Sequence, residues 1–263
     1  KFLMKPLNEY ERLFGLIGYP LSHSFSKKYF SEKFAKAGIT DACYELFPIP
    51  KIEALPELLQ QHPNLVGLNV TIPYKQAVLP YLDKLSEGAA AVGAVNTIRC
   101  SGDQLEGFNT DVVGFETSLC SWLEATRGGW SGLKALVLGT GGAAKAVAFV
   151  LGRLEIPFKM VSRAPGKDRL SYGQVTPEVV AVHKLLINTT PLGMSPSTSS
   201  KPKLPYHALG SSHYLYDLVY NPASTAFMEL GLKQGAKAMN GLQMLHGQAE
   251  AAWVIWTERD IKK

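Results

Sequence analysis

The chain has 263 residues, of which 46% are hydrophobic and 19% charged, a balance typical of folded globular proteins and sufficient for two modest cores. Lysine and arginine total 27 against 22 acidic residues, and the resulting net charge of +5 is scattered along the chain. This pattern slightly favours anionic small molecules as ligands and argues against nucleic acid, while the apolar runs are too short to suggest a membrane protein.

The cysteines argue against a disulfide framework or a metal site. Cys43, Cys100 and Cys120 are odd in number, widely spaced and not arranged as CxxC. Residues 1–4 lack the long apolar core of a secretory signal. These features predict a protein of the reducing cytoplasm.

The first part of the chain alternates between strand and helix patterns. Apolar runs predict strands over residues 13–18, 42–47 and 65–71. Phe30, Phe34 and Ala37 have helical spacing before Gly38, which predicts a helix that ends there. Further helices are predicted over 52–59 and over 76–85, the latter interrupted near Pro80. This alternation predicts an α/β layer fold.

A predicted hairpin marks the edge of a first domain. Residues 94–100 and 104–108 read as two strands joined by the tight turn Ser101-Gly102-Asp103. The hairpin breaks the alternation of strand and helix, and the next helix is predicted to begin near Val112. We therefore predict a substrate-binding domain over residues 1–108.

A second alternation follows the hairpin. It predicts strands at 135–138, 158–162, near 185–188 and at 214–218, with a helix at 143–152. This is the pattern of a Rossmann-like, doubly wound nucleotide-binding domain, predicted over residues 109–241. The helical pattern of 242–256 predicts a C-terminal helix, within 242–263, that returns to pack on the substrate domain.

A glycine-rich turn lies between the strand at 135–138 and the following alanine-rich helix. It reads Gly139-Thr140-Gly141-Gly142-Ala143. Small residues let a pyrophosphate approach the backbone, and the N–H groups of the helix start bind an anion. The turn therefore predicts a dinucleotide site, although a turn that serves only strand–helix packing would have the same residues.

The end of the second nucleotide-domain strand favours NADP. An acidic residue usually binds the ribose 2′-hydroxyl of NAD at this place, whereas this chain has Ser162 and Arg163, with Lys167 close behind. Cations and a hydroxyl suit a 2′-phosphate. The alternative is that these are solvated loop charges.

Four polar motifs in the first domain lie at strand ends or helix starts, where α/β folds bind ligands. Taken singly, the residues of each motif could instead have a structural role, as a helix cap, a turn residue or a surface charge. Their joint occurrence suits a polyhydroxylated acid. The motifs are Pro20-Leu21-Ser22-His23-Ser24, Asn69-Val70-Thr71-Ile72-Pro73-Tyr74-Lys75, Gly93-Ala94-Val95-Asn96-Thr97 and Gly107-Phe108-Asn109-Thr110-Asp111.

Together with later motifs, this series resembles the shikimate dehydrogenase family. The later motifs are Asn188-Thr189-Thr190-Pro191-Leu192-Gly193-Met194, Asp217-Leu218-Val219-Tyr220-Asn221-Pro222 and residues 241–248. The resemblance extends over nearly the whole chain. The chain departs from the family in reading Ser162-Arg163-Ala164 where Asn-Arg-Thr is usual, and in the short segment between Arg163 and Asn188.

The resemblance implies a role for each matching residue. Lys75 would be the main acid/base, oriented by Asp111. The substrate carboxylate would be held by Ser22 and Ser24, its hydroxyls by Asn69, Thr71, Lys75, Asn96, Asp111 and Gln248, with Tyr220 beside the ring. NADP would be held at its pyrophosphate by Gly139, Thr140, Gly141, Gly142 and Ala143, at its adenosine phosphate by Ser162, Arg163 and Lys167, and at its nicotinamide by Thr189, Met194 and Gly241.

The implied activity is the reversible NADPH-dependent reduction of 3-dehydroshikimate to shikimate, a step of aromatic amino acid biosynthesis. Two alternatives stay open: a quinate or dual quinate/shikimate dehydrogenase, and a non-catalytic NADP-binding sensor of the same fold. The expected ligands are small molecules, and the expected state is a monomer or homodimer.

Overall fold

The computed structural model describes residues 5–21 and 24–258. These residues form two six-stranded sheets and two compact units. The first unit contains the described residues up to Thr110 together with those from Ala249 onward, and the second contains Asp111–Gln248. This two-sheet α/β architecture confirms the predicted fold class. No helix of the described part is long and apolar enough to cross a membrane.

The sheet of the first unit is mixed. Its strands lie in the order β2-β1-β3-β5-β6-β4, with β3 antiparallel to β5 and β5 antiparallel to β6, while β1 is parallel to both β2 and β3. The elements are β1 (Arg12–Gly18), α1 (Phe25–Ala37), β2 (Ala42–Pro48), α2 (Leu55–Gln61), β3 (Leu65–Val70), α3 (Tyr74–Ala77), β4 (Lys84–Leu85), α4 (Glu87–Val92), β5 (Thr97–Ser101) and β6 (Gln104–Phe108). Helix α5 (Thr110–Arg127) begins at the boundary, and its residues from Asp111 onward belong to the second unit.

Helix α1 has the predicted boundary signals. Ser24 precedes it in an extended conformation and accepts a hydrogen bond from the backbone N–H of Lys27 at 3.4 Å. Gly38 ends it with φ of +65°, a left-handed conformation that glycine adopts without strain. Phe30 and Phe34, four residues apart, are buried on one face. The helix predicted from these residues is therefore confirmed.

The helix predicted over residues 76–85 is wrong. The structure has the short α3, a single 3-10 turn at Leu79–Tyr81, and then β4, which pairs in parallel with β6. Pro80 lies inside the 3-10 turn and cannot continue an α-helix because it lacks an N–H. The two residues of β4 are exposed, so apolar periodicity gave no sign of their pairing.

The sheet of the second unit is wholly parallel. Its strands lie in the order β12-β11-β10-β7-β8-β9. The elements are β7 (Ala135–Leu138), α6 (Gly142–Arg153), β8 (Phe158–Ser162), β9 (Arg169–Ser171), α7 (Pro177–Val182), β10 (Leu185–Asn188), β11 (Tyr214–Asp217), α8 (Ala226–Lys233), β12 (Lys237–Asn240) and α9 (Leu242–Thr257). Strands β7, β8 and β10 match their predicted bounds, and β9, α7, α8 and β12 were not predicted.

The later half of α9 completes the core of the first unit. Ala249, Ala252 and Trp256 pack in one cluster with Phe14 and Phe30. The indole N–H of Trp256 donates to the Ile98 carbonyl at 2.9 Å. Gly67 makes room for this ring, since a Cβ at that position would lie 2.1 Å from the indole nitrogen.

Candidate functional site

Two predicted substrate residues of the first unit, Asn69 and Asn96, lie at one edge of its sheet. Asn69 is the penultimate residue of β3. Strand β5 runs antiparallel to β3, and Thr97, the first residue of β5, pairs with Asn69. Phe108 at the end of β6 pairs with Thr97 in turn. This edge, the polar edge below, consists of Asn69, Asn96, Thr97, Asn109 and Thr110, whose side chains are all buried.

The side chain of Asn69 is held on both sides. Its Oδ1 accepts a hydrogen bond from the Tyr44 hydroxyl at 2.7 Å. Its Nδ2 donates to the Asn96 carbonyl at 3.3 Å and to Thr97 Oγ1 at 3.2 Å. The amide therefore has one orientation.

Asn96 is held by the turn into α5. The backbone N–H of Thr110 donates to Asn96 Oδ1 at 2.7 Å, and Asn96 Nδ2 donates to Thr110 Oγ1 at 3.0 Å. Asn109 Nδ2 donates to the Ala94 carbonyl at 3.0 Å. The structure thus brings together two of the predicted hydroxyl-binding residues, Asn69 and Asn96, through hydrogen bonds within the polar edge.

Lys75 lies close to the polar edge in sequence and is anchored through its backbone. It is half-buried in α3, and its carbonyl accepts a hydrogen bond from the Val95 N–H at 2.7 Å. The neighbouring Tyr74 is buried and donates its hydroxyl to the Ile49 carbonyl at 2.7 Å. Thr71 donates its N–H to the Ile17 carbonyl at 3.0 Å. The segment that carries Thr71 and Lys75 is therefore hydrogen-bonded to β1 and to Val95, just before β5.

Of the two serines predicted to hold the substrate carboxylate, the structure describes only Ser24. Ser22 lies outside the described residues. Ser24 is half-buried and caps α1, so its hydroxyl already accepts one hydrogen bond. Ser26, which was not predicted, hydrogen-bonds the Tyr44 hydroxyl. Its spacing of two residues from Ser24 is a signal that the sequence did contain.

Three other predicted substrate residues belong to the second unit. Asp111 is half-buried in the first turn of α5, and Tyr220 has 39% of its surface exposed after β11. Gln248 in α9 donates its side-chain amide to the Leu245 carbonyl at 3.0 Å. Their predicted contacts with substrate stay predictions.

In the second unit, the glycine turn (Gly139–Gly142) follows β7 and opens α6. Gly139 has φ of +114°, and a Cβ there would lie 2.5 Å from Thr189 Oγ1, so this position requires glycine. A Cβ at Gly141 or Gly142 would meet no described atom within 4 Å. The start of this twelve-residue helix therefore has open space beside its glycines, and its N-cap, Gly141, provides no side-chain hydrogen bond. The first N–H groups of a helix lack partners within the helix, so such a start suits an anion.

A cavity of about 440 Å³ lies beside this turn. It is lined by residues of the turn, by Ser162 at the end of β8 and the adjacent Arg163, by the loop after β10 and by Tyr172. Arg163 is exposed, and the Ser162 hydroxyl donates to the Ala164 carbonyl. A second cavity shares Thr140 with the first and includes Lys167. The structure thus places the predicted phosphate-binding cations along cavities that begin at the glycine turn.

A buried network shapes the loop after β10. Asn188 Nδ2 donates to Asp217 Oδ1 at 2.9 Å, and Asn188 Oδ1 accepts from the Thr190 hydroxyl at 2.6 Å. Asp217 is fully buried and also accepts from the Thr225 hydroxyl at 2.5 Å and the Val219 N–H at 3.0 Å. Burial raises the pKa of Asp217 above its ordinary value, against the opposing effect of these hydrogen bonds.

The predicted nicotinamide-side residues lie on this loop and at the start of α9. Thr189 donates its hydroxyl to the Leu138 carbonyl at 2.7 Å, and Met194 is 47% exposed. Gly241 is buried, and a Cβ there would lie 2.1 Å from the Leu218 carbonyl oxygen. No individual role had been predicted for Asn188, Asp217 or Thr225, although the first two lie within motifs that the sequence had singled out.

Comparison with known proteins gives consistent matches. A family model described as the shikimate dehydrogenase substrate binding domain matches residues 16–98. A protein of Caldanaerobacter subterraneus subsp. tengcongensis named shikimate dehydrogenase (NADP(+)) is 36% identical, over 94% of this chain and 91% of the relative.

Solved structures match over similar lengths. Shikimate 5-dehydrogenase from Thermus thermophilus, in complex with NADP(H) and shikimate, is 33% identical with a TM-score of 0.79, over 94% of each chain. Quinate dehydrogenase from Corynebacterium glutamicum, in complex with NAD, is 25% identical with a TM-score of 0.83, also over 94% of each chain.

Proposed function

Because the chain belongs to the shikimate dehydrogenase family, we propose that it catalyses the reversible NADPH-dependent reduction of 3-dehydroshikimate to shikimate. The observation that carries the proposal is the 36% identity over 94% of the chain to a relative named for this activity. The predicted domain roles follow from it: the first unit binds the substrate and the second binds NADP.

The polar edge supports a polyhydroxylated substrate. Hydrogen bonds set the amides of Asn69 and Asn96 in single orientations, so they are organised before a ligand arrives. Asn69, Thr71 and Asn96 are proposed to bind ring hydroxyls, and Ser24 the carboxylate. Asp111, Tyr220 and Gln248 are proposed to complete the substrate contacts.

The glycine turn fits the cofactor. Its open helix start would hold the pyrophosphate, and Arg163 and Lys167 would hold the 2′-phosphate. Thr189, Met194 and Gly241 are proposed to border the nicotinamide. When bound, NADPH supplies the hydride for the substrate carbonyl carbon.

The chain itself must supply a proton. As the C–H bond forms, the carbonyl oxygen becomes an alkoxide, and Lys75 donates a proton from its ammonium group to that oxygen. Asp111 is proposed to orient Lys75 through its carboxylate. In the oxidative direction Lys75 takes the same proton from the hydroxyl, so atoms and charge balance in both directions.

An absorbance assay of cofactor reduction tests this proposal. The purified protein with shikimate and NADP is expected to form NADPH, and the reverse reaction should consume it. A protein that binds NADP but turns over neither shikimate nor quinate would instead be a sensor of the same fold.

Quinate is the second candidate substrate. The structure is similar to that of a quinate dehydrogenase, with a TM-score of 0.83. Quinate and shikimate also require the same polar groups in the site, so quinate is a second substrate to test. Parallel assays with shikimate and quinate, each with NADP and with NAD, decide between them. We expect kcat/KM to be highest for shikimate with NADP, and a higher value for quinate would reassign the enzyme.

We also propose a cytoplasmic location and a monomeric or homodimeric state. Cell fractionation tests the first proposal, and light scattering of the purified protein tests the second.

A further inference from the structure

Tyr44 places a hydroxyl deep in an aromatic core. It lies in β2 with only 2% of its surface exposed, and its ring stacks on Phe30 with centroids 4.7 Å apart and planes 12° from parallel. Phenylalanine would make the same ring contacts. Burying the hydroxyl costs free energy unless it is hydrogen-bonded, so its partners indicate what it does.

Those partners connect two predicted substrate-binding segments. The Tyr44 hydroxyl donates to Asn69 Oδ1 at 2.7 Å and interacts with Ser26 on the first turn of α1. Burial raises the pKa of Tyr44, which keeps the hydroxyl protonated and able to donate. The segment after Ser24 is thereby linked to Asn69 through one buried group.

The hydrogen-bond network determines which partners face Oδ1 and Nδ2 of Asn69. The Asn96 carbonyl can only accept, so the atom of Asn69 that faces it must be Nδ2. Oδ1 then faces the Tyr44 hydroxyl, which donates to it. Both hydrogens of Nδ2 are used, by Asn96 and by Thr97, whereas Oδ1 receives one bond from the described residues.

We propose that Tyr44 is a positioning residue that holds the Asn69 amide with Oδ1 as its remaining hydrogen-bonding group, so that Asn69 recognises a substrate hydroxyl as a donor. The inference rests on the proposed function, because it takes Asn69 to bind a ring hydroxyl of the substrate. Without the Tyr44 hydroxyl, the amide loses the bond that holds Oδ1 in place.

The test is Tyr44→Phe, which keeps the ring and removes only the hydroxyl. We expect KM for shikimate to rise about tenfold, while kcat and KM for NADP stay within about twofold of wild type. Tyr216→Phe is the matched control: Tyr216 is also fully buried, and its hydroxyl bonds Ser118 at 2.5 Å in the second unit. This control should leave all three constants near wild type.

A double-mutant cycle shows whether Tyr44 acts through Asn69. In an Asn69→Ala background, and in Asn69→Ser as a second choice if the alanine variant does not fold, Tyr44→Phe should change KM for shikimate by less than about twofold. An unchanged KM in Tyr44→Phe, or a tenfold rise that persists without Asn69, would overturn the inference.

The same assay separates this inference from the proposed function. A wild-type protein that does not oxidise shikimate refutes the function, and calorimetric titration with shikimate then tests the positioning role by binding alone. Absence of shikimate binding to the wild type would overturn both. An active wild type with an unaltered Tyr44→Phe variant overturns only the positioning role.

Discussion

The polar edge of the first unit and the glycine turn of the second are organised in opposite ways. At the polar edge, buried hydrogen bonds hold the amides of Asn69 and Asn96 in single orientations. At the glycine turn, three of the four residues are glycines, and the turn borders an open cavity that Arg163 also lines.

The difference matches two kinds of recognition. Preset side-chain donors and acceptors discriminate between the hydroxyl patterns of small ligands, because an unmatched buried group costs free energy. Bare backbone and a helix start bind a diphosphate that many ligands share, and specificity comes from the cations near it. The following changes test this contrast, beginning with the largest expected effect.

Lys75→Ala should separate chemistry from cofactor binding. Loss of the proposed proton donor is expected to lower kcat by about 100- to 10,000-fold, since acid–base groups contribute effects of that size. NADP affinity, measured by fluorescence titration, should change little. Near-normal turnover would remove Lys75 from the mechanism.

Gly139→Ala should damage the cofactor side alone. The new Cβ would overlap Thr189 Oγ1 at a φ of +114°, so we expect KM for NADP to rise about tenfold or more. Shikimate binding by calorimetry should not change. Gly152→Ala, on α6 where a Cβ meets no described atom, is the control and should leave KM unaltered.

Arg163→Ala should weaken the preference for NADP over NAD. Loss of a charge-assisted hydrogen bond to the 2′-phosphate is expected to lower kcat/KM for NADP about tenfold and to leave the value for NAD nearly unchanged. Lys159→Ala, an exposed cation on β8, is the control. An equal decrease in kcat/KM for NADP and for NAD would show that Arg163 does not bind the 2′-phosphate.

Asp217→Asn tests a part of the second unit that, like the polar edge, holds buried polar side chains by hydrogen bonds. Burial raises the pKa of Asp217 above 3.8, so the folded state binds its proton more tightly than the unfolded state. The protonated Asp217 carboxyl group therefore contributes to the stability of the fold, and this contribution is fully present below pH 3.8 and is lost as pH rises through the folded-state pKa.

We expect the difference in thermal midpoint, Asp217→Asn minus wild type, to become more favourable to the variant as pH rises from 4 to 7. Each tenfold difference in proton affinity corresponds to about 1.4 kcal/mol. Parallel midpoint curves would mean that Asp217 does not titrate differently on unfolding.

The sequence predicted elements best where local pattern decides them. Strand β7 is a continuous apolar run closed by Gly139, and its predicted bounds are confirmed. Strand β4 is exposed and exists through pairing with β6, about twenty residues away, which no local periodicity encodes. The prediction of a helix over 76–85 was wrong for this reason.

The site divides similarly. Asn69 and Asn96 were selected from their motifs, and the structure brings them together. The sequence does not single out Tyr44, because an aromatic residue in a strand is typical of a core, and the role of its hydroxyl follows from a hydrogen bond to the distant Asn69. Asp217 lies within a motif, but its partners come from distant elements: Asn188 ends β10 and Thr225 precedes α8.

The indole of Trp256 over Gly67 bears on how the protein is made. Synthesis runs from the N-terminus, so the strands of the first unit leave the ribosome before the residue that fills the space beside them. Residues 111–248 are contiguous and need no later segment for their own sheet. We therefore expect the nascent chain to gain protease resistance first in the second unit, although the first unit is translated earlier.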